Sequence, residues 1–101
     1  MMQKTTYEFD WDDSKAASNL RKHAVRFEEA MAVFNDPLNM TRFDDEHSES
    51  EERWVTLGQA NGGTLLLVVH TYSPIDEQHV LVRLISARRP TKREAQQYYE
   101  A

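Results

Sequence analysis

A chain of 101 residues with 17 acidic against 12 Lys and Arg side chains carries a formal charge of −5, which excludes broad electrostatic attraction to nucleic acid. Phosphate binding then has to come from a local basic face. Zero cysteines exclude a disulfide framework and a thiolate metal site, and favour a reducing, cytoplasmic compartment.

The length predicts one compact domain over residues 1–101. Met1–Glu8 has no apolar stretch of leader length and no run is long enough to span a bilayer, so a soluble protein is expected. Tyr7, Phe9 and Trp11 alternate with Glu8, Asp10 and Asp12, the period of a strand with one buried face. Asp12, Asp13 and Ser14 then offer N-cap oxygens to a helix running to about His23, whose narrow apolar face is Ala16, Ala17 and Leu20. Phe27, Ala30, Met31 and Phe34 recur at i, i+3, i+4 and i+7, predicting an amphipathic helix that Asp36-Pro37 stops.

From Leu38 the pattern becomes that of strands: 38–43, 53–59, 64–72 and 79–88. Ala60-Asn61-Gly62-Gly63 predicts a tight antiparallel hairpin, because Asn and Gly tolerate the positive φ such turns demand. Ser73-Pro74-Ile75-Asp76 predicts a longer one. Thr91 followed by Glu94 is a capping box that opens a C-terminal helix. The expected fold class is α+β, a mainly antiparallel sheet packed against N-terminal helices with a helix at the C-terminal end.

Positive charge is concentrated in Arg21-Lys22-His23 and in Arg83, Arg88, Arg89, Lys92 and Arg93. Arg53 shares its strand parity with Val55 and Leu57, and Arg83 shares its parity with Leu81, Ile85 and Ala87. A guanidinium at such a position needs a carboxylate, water access or an anionic ligand. The acidic run Asp44–Glu52 reads as a solvated loop, a carboxylate base or a lure for a basic partner. Its contiguous carboxylates lack calcium-loop spacing, and the four histidines form no zinc-like pair, so no metal or cofactor is expected. His70 alternates with Val68 and Leu66, which suits a hydrogen-bonded core histidine as well as a catalytic one.

Phe9-Asp10-Trp11-Asp12, Asn19-Leu20-Arg21-Lys22-His23, Phe27-Glu28-Glu29-Ala30 with Phe34, Asp36 and Pro37, His47-Ser48 before Glu51-Glu52-Arg53, and Arg83–Arg88 stand in one order. In that order and spacing the chain resembles the BrnT toxins of type II toxin-antitoxin systems. The resemblance implies a RelE-like fold and a ribonuclease that arrests translation, held inactive by a BrnA-type antitoxin that also binds operator DNA.

On that expectation the neighbouring 2′-hydroxyl of RNA attacks phosphorus without a metal. Arg53, Arg83 and Arg88 stabilise the phosphorane and His23 moves protons, with Glu52 and His70 in reserve. Lys22, His70 and Tyr99 are the candidate substrate contacts. The competing expectation is a noncatalytic RNA- or peptide-binding module. The family usually has Gly where Ala24 stands and a serine-like cap where Arg26 stands. The first change predicts a different bend between the helices, and the second leaves the second helix reliant on its packed face.

Overall fold

The computed structural model describes residues 5–101, so the part of the leader expectation that rests on Met1–Lys4 lies outside the described residues. Strand β1 (Thr6–Asp10) half-buries Tyr7 and Phe9 and exposes the residues between them, as the alternation predicts. Helix α1 (Asp13–His23) starts where Asp12 Oδ1 accepts the amides of Ser14 at 2.8 Å and Lys15 at 3.1 Å. It ends on Ala24, which takes the left-handed conformation itself (φ 57°, ψ 32°) and donates its N–H to Leu20 O. The predicted change of bend is therefore absent: alanine adopts the glycine conformation at an energetic cost.

The second helix is shorter than predicted. Helix α2 (Phe27–Ala30) tightens at once into a 3₁₀ turn over Met31–Asn35. The reason lies in burial: Phe27, Ala30 and Val33 are fully buried while Met31 is only half-buried, and a repeat of three is the 3₁₀ period. The turn also presses on β3, where a Cβ at Gly58 would lie 2.9 Å from Val33 Cγ1. Arg26 supplies no side-chain cap. Glu29 does part of that work by accepting the Arg26 N–H at 3.2 Å, so the helix does not rest on packing alone.

Strands β2 (Met40–Phe43), β3 (Trp54–Gln59), β4 (Leu65–His70), β5 (Ser73–Pro74) and β6 (His79–Arg88) follow, then helix α3 (Lys92–Glu100). They form a six-stranded sheet in the order β1-β6-β4-β3-β2, with β5 also on β6. Among the described residues only β1 runs parallel to its neighbour; the other pairings are antiparallel. Gly62 and Gly63 take φ of 82° and 85° in the β3–β4 turn, the freedom for which glycine is suited. In the β5–β6 turn, Asp76 Oδ1 accepts the amides of Gln78 and His79.

The sheet has a core on each face. Val80, Val82, Leu84, Ala87, Leu66 and Val68 pack with Val25, Phe27, Ala30, Val33 and Phe34 under the N-terminal helices. Val55, Leu57, Leu65 and Leu67 pack with Tyr98 of α3 on the other. A bulge between Val69 and His70, where the β6 partner jumps from Ser86 to Leu84, interrupts the ladder. It reverses parity along β6. Ala87 therefore joins the helix-side core with Leu84, and the expectation that it shares a face with Arg83 is corrected: an extra residue on one strand flips every side chain beyond it.

Candidate functional site

On the face opposite α1 and α2, α3 covers only part of the sheet and leaves a hollow of about 470 Å³. Its floor is Val55, Leu67, Val69 and Ile85, and its arginines are Arg42 of β2, Arg53 immediately before β3 and Arg88 at the end of β6. The antiparallel order β2–β3–β4–β6 brings these arginines onto one sheet, with β4 between β3 and β6. The opposite wall is Asp44, Asp45, Glu46 and His47. The acidic run is mostly solvent-exposed, as its reading as a solvated loop expects, and its first four residues form this wall. Its place is fixed by bonds to the residue immediately before β3: Asp44 N donates to Arg53 O at 2.8 Å, and Arg53 N donates to Ser48 Oγ at 3.0 Å.

His47 holds its Nδ1 3.0 Å from Asp44 Oδ2. The imidazole side chain is 62 % exposed and Asp44 only 12 %, so the carboxylate is the fixed partner and the ring reaches out from it. A carboxylate can only accept from a neutral imidazole, which places the proton on Nδ1 and leaves the Nε2 lone pair free to act as a base.

Each arginine has a different anchorage. Arg88 donates from Nη1 and Nη2 to the two carboxylate oxygens of Glu94, both at 2.9 Å. That fork holds the Glu94 carboxyl down at about 2 and pushes the Arg88 guanidinium up. Arg53 reaches only to 3.6 Å from Glu51 Oε1, and its buried Nε has no hydrogen-bond partner among the described residues. Arg83 hydrogen-bonds from Nη2 to Glu51 Oε2. It faces a neighbouring hollow of about 290 Å³ with Glu51, Glu52, Thr71 and Leu81.

The sequence-predicted residues thus divide by place. Arg53 and Arg88 come together in the large hollow; Arg83 and Glu52 line the adjoining one. Lys22 and His23 are exposed in the last turn of α1, on the helix side of the sheet. That end is pinned by Asn19, whose buried amide donates to Ala87 O and Val25 O and accepts Ala87 N–H. His70 is fully buried, with Nε2 2.7 Å from Thr56 Oγ1, Nδ1 2.9 Å from Thr71 O, and Phe34 edge-on at 4.9 Å. Tyr99 is 66 % exposed on α3. Its neighbour Tyr98 donates its hydroxyl to Asp36 at 2.6 Å, a bond that pushes the phenol up to about 12.

Sequence reasoning passed over Arg42, and it marked the acidic run and His47 without pairing Asp44 with His47 or Glu51 with the arginines. For Arg42 the signal was parity with Met40 in a strand, but its placement opposite Val55 depends on a register that the ten-residue acidic connection, 44–53, conceals. For Asp44 and His47 the spacing i, i+3 was present, without any mark of the turn that makes it meaningful.

A family model described as the ribonuclease toxin BrnT of type II toxin-antitoxin systems matches residues 11–94. No curated protein matches the chain in sequence. Among solved structures, the 1.1 Å crystal structure of the Brucella abortus ribonuclease toxin BrnT is similar, with a TM-score of 0.57 and 19 % identity over 86 % of this chain and 100 % of that one. At that identity the likeness speaks for the fold. The family model covers most of the sequence on its own account, and the chain belongs to the BrnT family of ribonuclease toxins of type II toxin-antitoxin systems.

Proposed function

We propose that this chain is an endoribonuclease that arrests translation by cleaving RNA in the large hollow, without a metal, and that a BrnA-type antitoxin neutralises it. The observation that carries the reading is the meeting of Arg42, Arg53 and Arg88 with the Asp44-held His47 around one hollow. Cations on the sheet and a base on the wall lie on different sides of it, an arrangement suited to phosphodiester chemistry. The protein's own groups are assigned the chemistry.

His47 Nε2 takes the proton of a 2′-hydroxyl, whose oxygen attacks the adjacent phosphorus. The bond to the 5′-oxygen breaks, that oxygen takes a proton from water in the open hollow, and a cyclic phosphate remains. Arg53 and Arg88 meet the charge that gathers on the equatorial oxygens, where preorganised cations have most effect. Arg42, exposed on the edge strand, holds the backbone. Lys22, His23 and Tyr99 are left to contacts with RNA outside the hollow, and His70 to the core.

The test is purified protein incubated with RNA in excess chelator. New cyclic-phosphate ends are expected, and Arg53→Ala should reduce their rate roughly 100-fold or more, the loss typical of a removed transition-state donor. His47→Gln should leave only a slow residual reaction. A wild-type protein that only retards RNA in a gel would instead establish the noncatalytic binding module.

A further inference from the structure

Arg83 is the cation that parity singles out on β6, yet it does not line the large hollow. It is connected to it by one side chain. Glu51 accepts the Arg83 Nη2–H through Oε2 and turns its other oxygen, Oε1, toward Arg53 Nη2 at 3.6 Å. All three side chains are partly shielded, with 28 % of Arg53, 33 % of Glu51 and 39 % of Arg83 exposed.

The backbones of both arginines are hydrogen-bonded, Arg83 through its carbonyl to Thr71 N–H at 3.0 Å and Arg53 to Asp44 N–H and Ser48 Oγ. The two differ in their side chains: the Arg83 guanidinium hydrogen-bonds to Glu51. Arg53 makes no side-chain hydrogen bond among the described residues, and its buried Nε is left without an acceptor. A guanidinium with no hydrogen bond of its own is oriented by packing and by the nearest charge, and that charge is Glu51. We propose that Glu51, held by its hydrogen bond from Arg83, is a positioning residue that aims the Arg53 guanidinium into the hollow. Arg83 then acts on the reaction through Glu51, without touching RNA. This rests on the ribonuclease reading above, and it adds to that reading a reason why a cation outside the hollow should matter to it.

Two measurements on the full chain test it. In cleavage assays corrected for folded fraction by thermal melts, Glu51→Ala and Arg83→Ala should each lower kcat on the order of 100-fold, the loss that an ångström-scale misplacement produces. KM should change little, and the double variant should be no slower than the slower single one, because the residues act as a unit. Arg83→Lys, which keeps the charge, should recover part of the rate. Losses that multiply, or a Glu51→Ala enzyme as fast as wild type or faster, would overturn the proposal. The second measurement follows the Arg53 Nε–H resonance by nitrogen-15 NMR, which requires no substrate. The resonance should move in both Glu51→Ala and Arg83→Ala; if it stays in place in Arg83→Ala, the link does not exist. Absence of RNA cleavage by the wild type would overturn the ribonuclease reading, and the resonance would still decide for or against the bridge.

Discussion

Burial gives His70 a role that its residue type alone does not suggest. Its Nδ1–H meets the Thr71 carbonyl, so Nε2 carries the lone pair and accepts the Thr56 hydroxyl; Thr56 then accepts from Thr41 at 2.8 Å. The three groups form a satisfied chain from the core to the edge strand, the condition under which polar groups are tolerated inside. Burial pushes the His70 pKa below its ordinary 6.5, against a smaller opposing effect from the Thr71 carbonyl. The unfolded chain therefore binds this proton more readily than the folded one. Stability contributed by neutral His70 is complete above pH 6.5 and declines as pH falls from there toward the lower folded value. Urea midpoints between pH 7.5 and 5 should show that decline, and a His70→Gln variant that folds should lose this part of the slope.

At the scale of elements, the fold depends on how its helices end and how they are tied down. Ala24 holds the left-handed stop of α1 at φ 57°, a conformation that costs an L-residue ~1 kcal/mol and glycine almost nothing. Ala24→Gly should therefore raise the melting temperature by a few degrees, about what ~1 kcal/mol produces in a domain of this size. No change would mean that glycine's extra freedom in the unfolded chain offsets the relief. Helix α3 is tied twice, by Tyr98 to Asp36 and by Glu94 to Arg88. Although burial raises it, the Asp36 carboxyl is held below its ordinary value by the Tyr98 hydroxyl and the amides of Gln59 and Leu38. Glu94, at about 2 against an ordinary 4.5, contributes stability that is full above pH 4.5 and is lost as pH falls toward 2. Acid titration followed by circular dichroism should show α3 loosening in that window. Glu94→Gln should be less stable at pH 7 and should show less of this acid dependence.

For the whole molecule, the acidic balance and the basic hollow have to be considered together. The 17 acidic groups repel a polyanion at long range, and on the proposed function three arginines around the hollow offer it one seat. Three neutralised phosphates on a single strand predict that log Kd for RNA rises with log salt with a slope of about 2. A slope near 4 would extend the contact track to the basic end of α1, where Lys22 and His23 stand. Salt titration by fluorescence anisotropy decides between them.

Much of the architecture was legible in the chain. The β1 alternation, the Asp12 cap, the Asn-Gly-Gly hairpin and the Thr91–Glu94 box are local signals whose physics is complete within a few residues, and they appear where their chemistry demands. The α+β order followed from them. The site was legible as Arg53 and Arg83 at positions of inward parity, Arg88 within a basic cluster, and an acidic run that could supply a base. What the tertiary structure decided was which of them meet: Arg53 and Arg88 in one hollow with Arg42 and His47, Arg83 outside it behind Glu51, and His23 on the other side of the sheet. The reason is that strand register, one bulge in β6 and the docking of α3 are set by packing between residues far apart in sequence. No local pattern records where a side chain points once a single extra residue has reversed the parity of its strand.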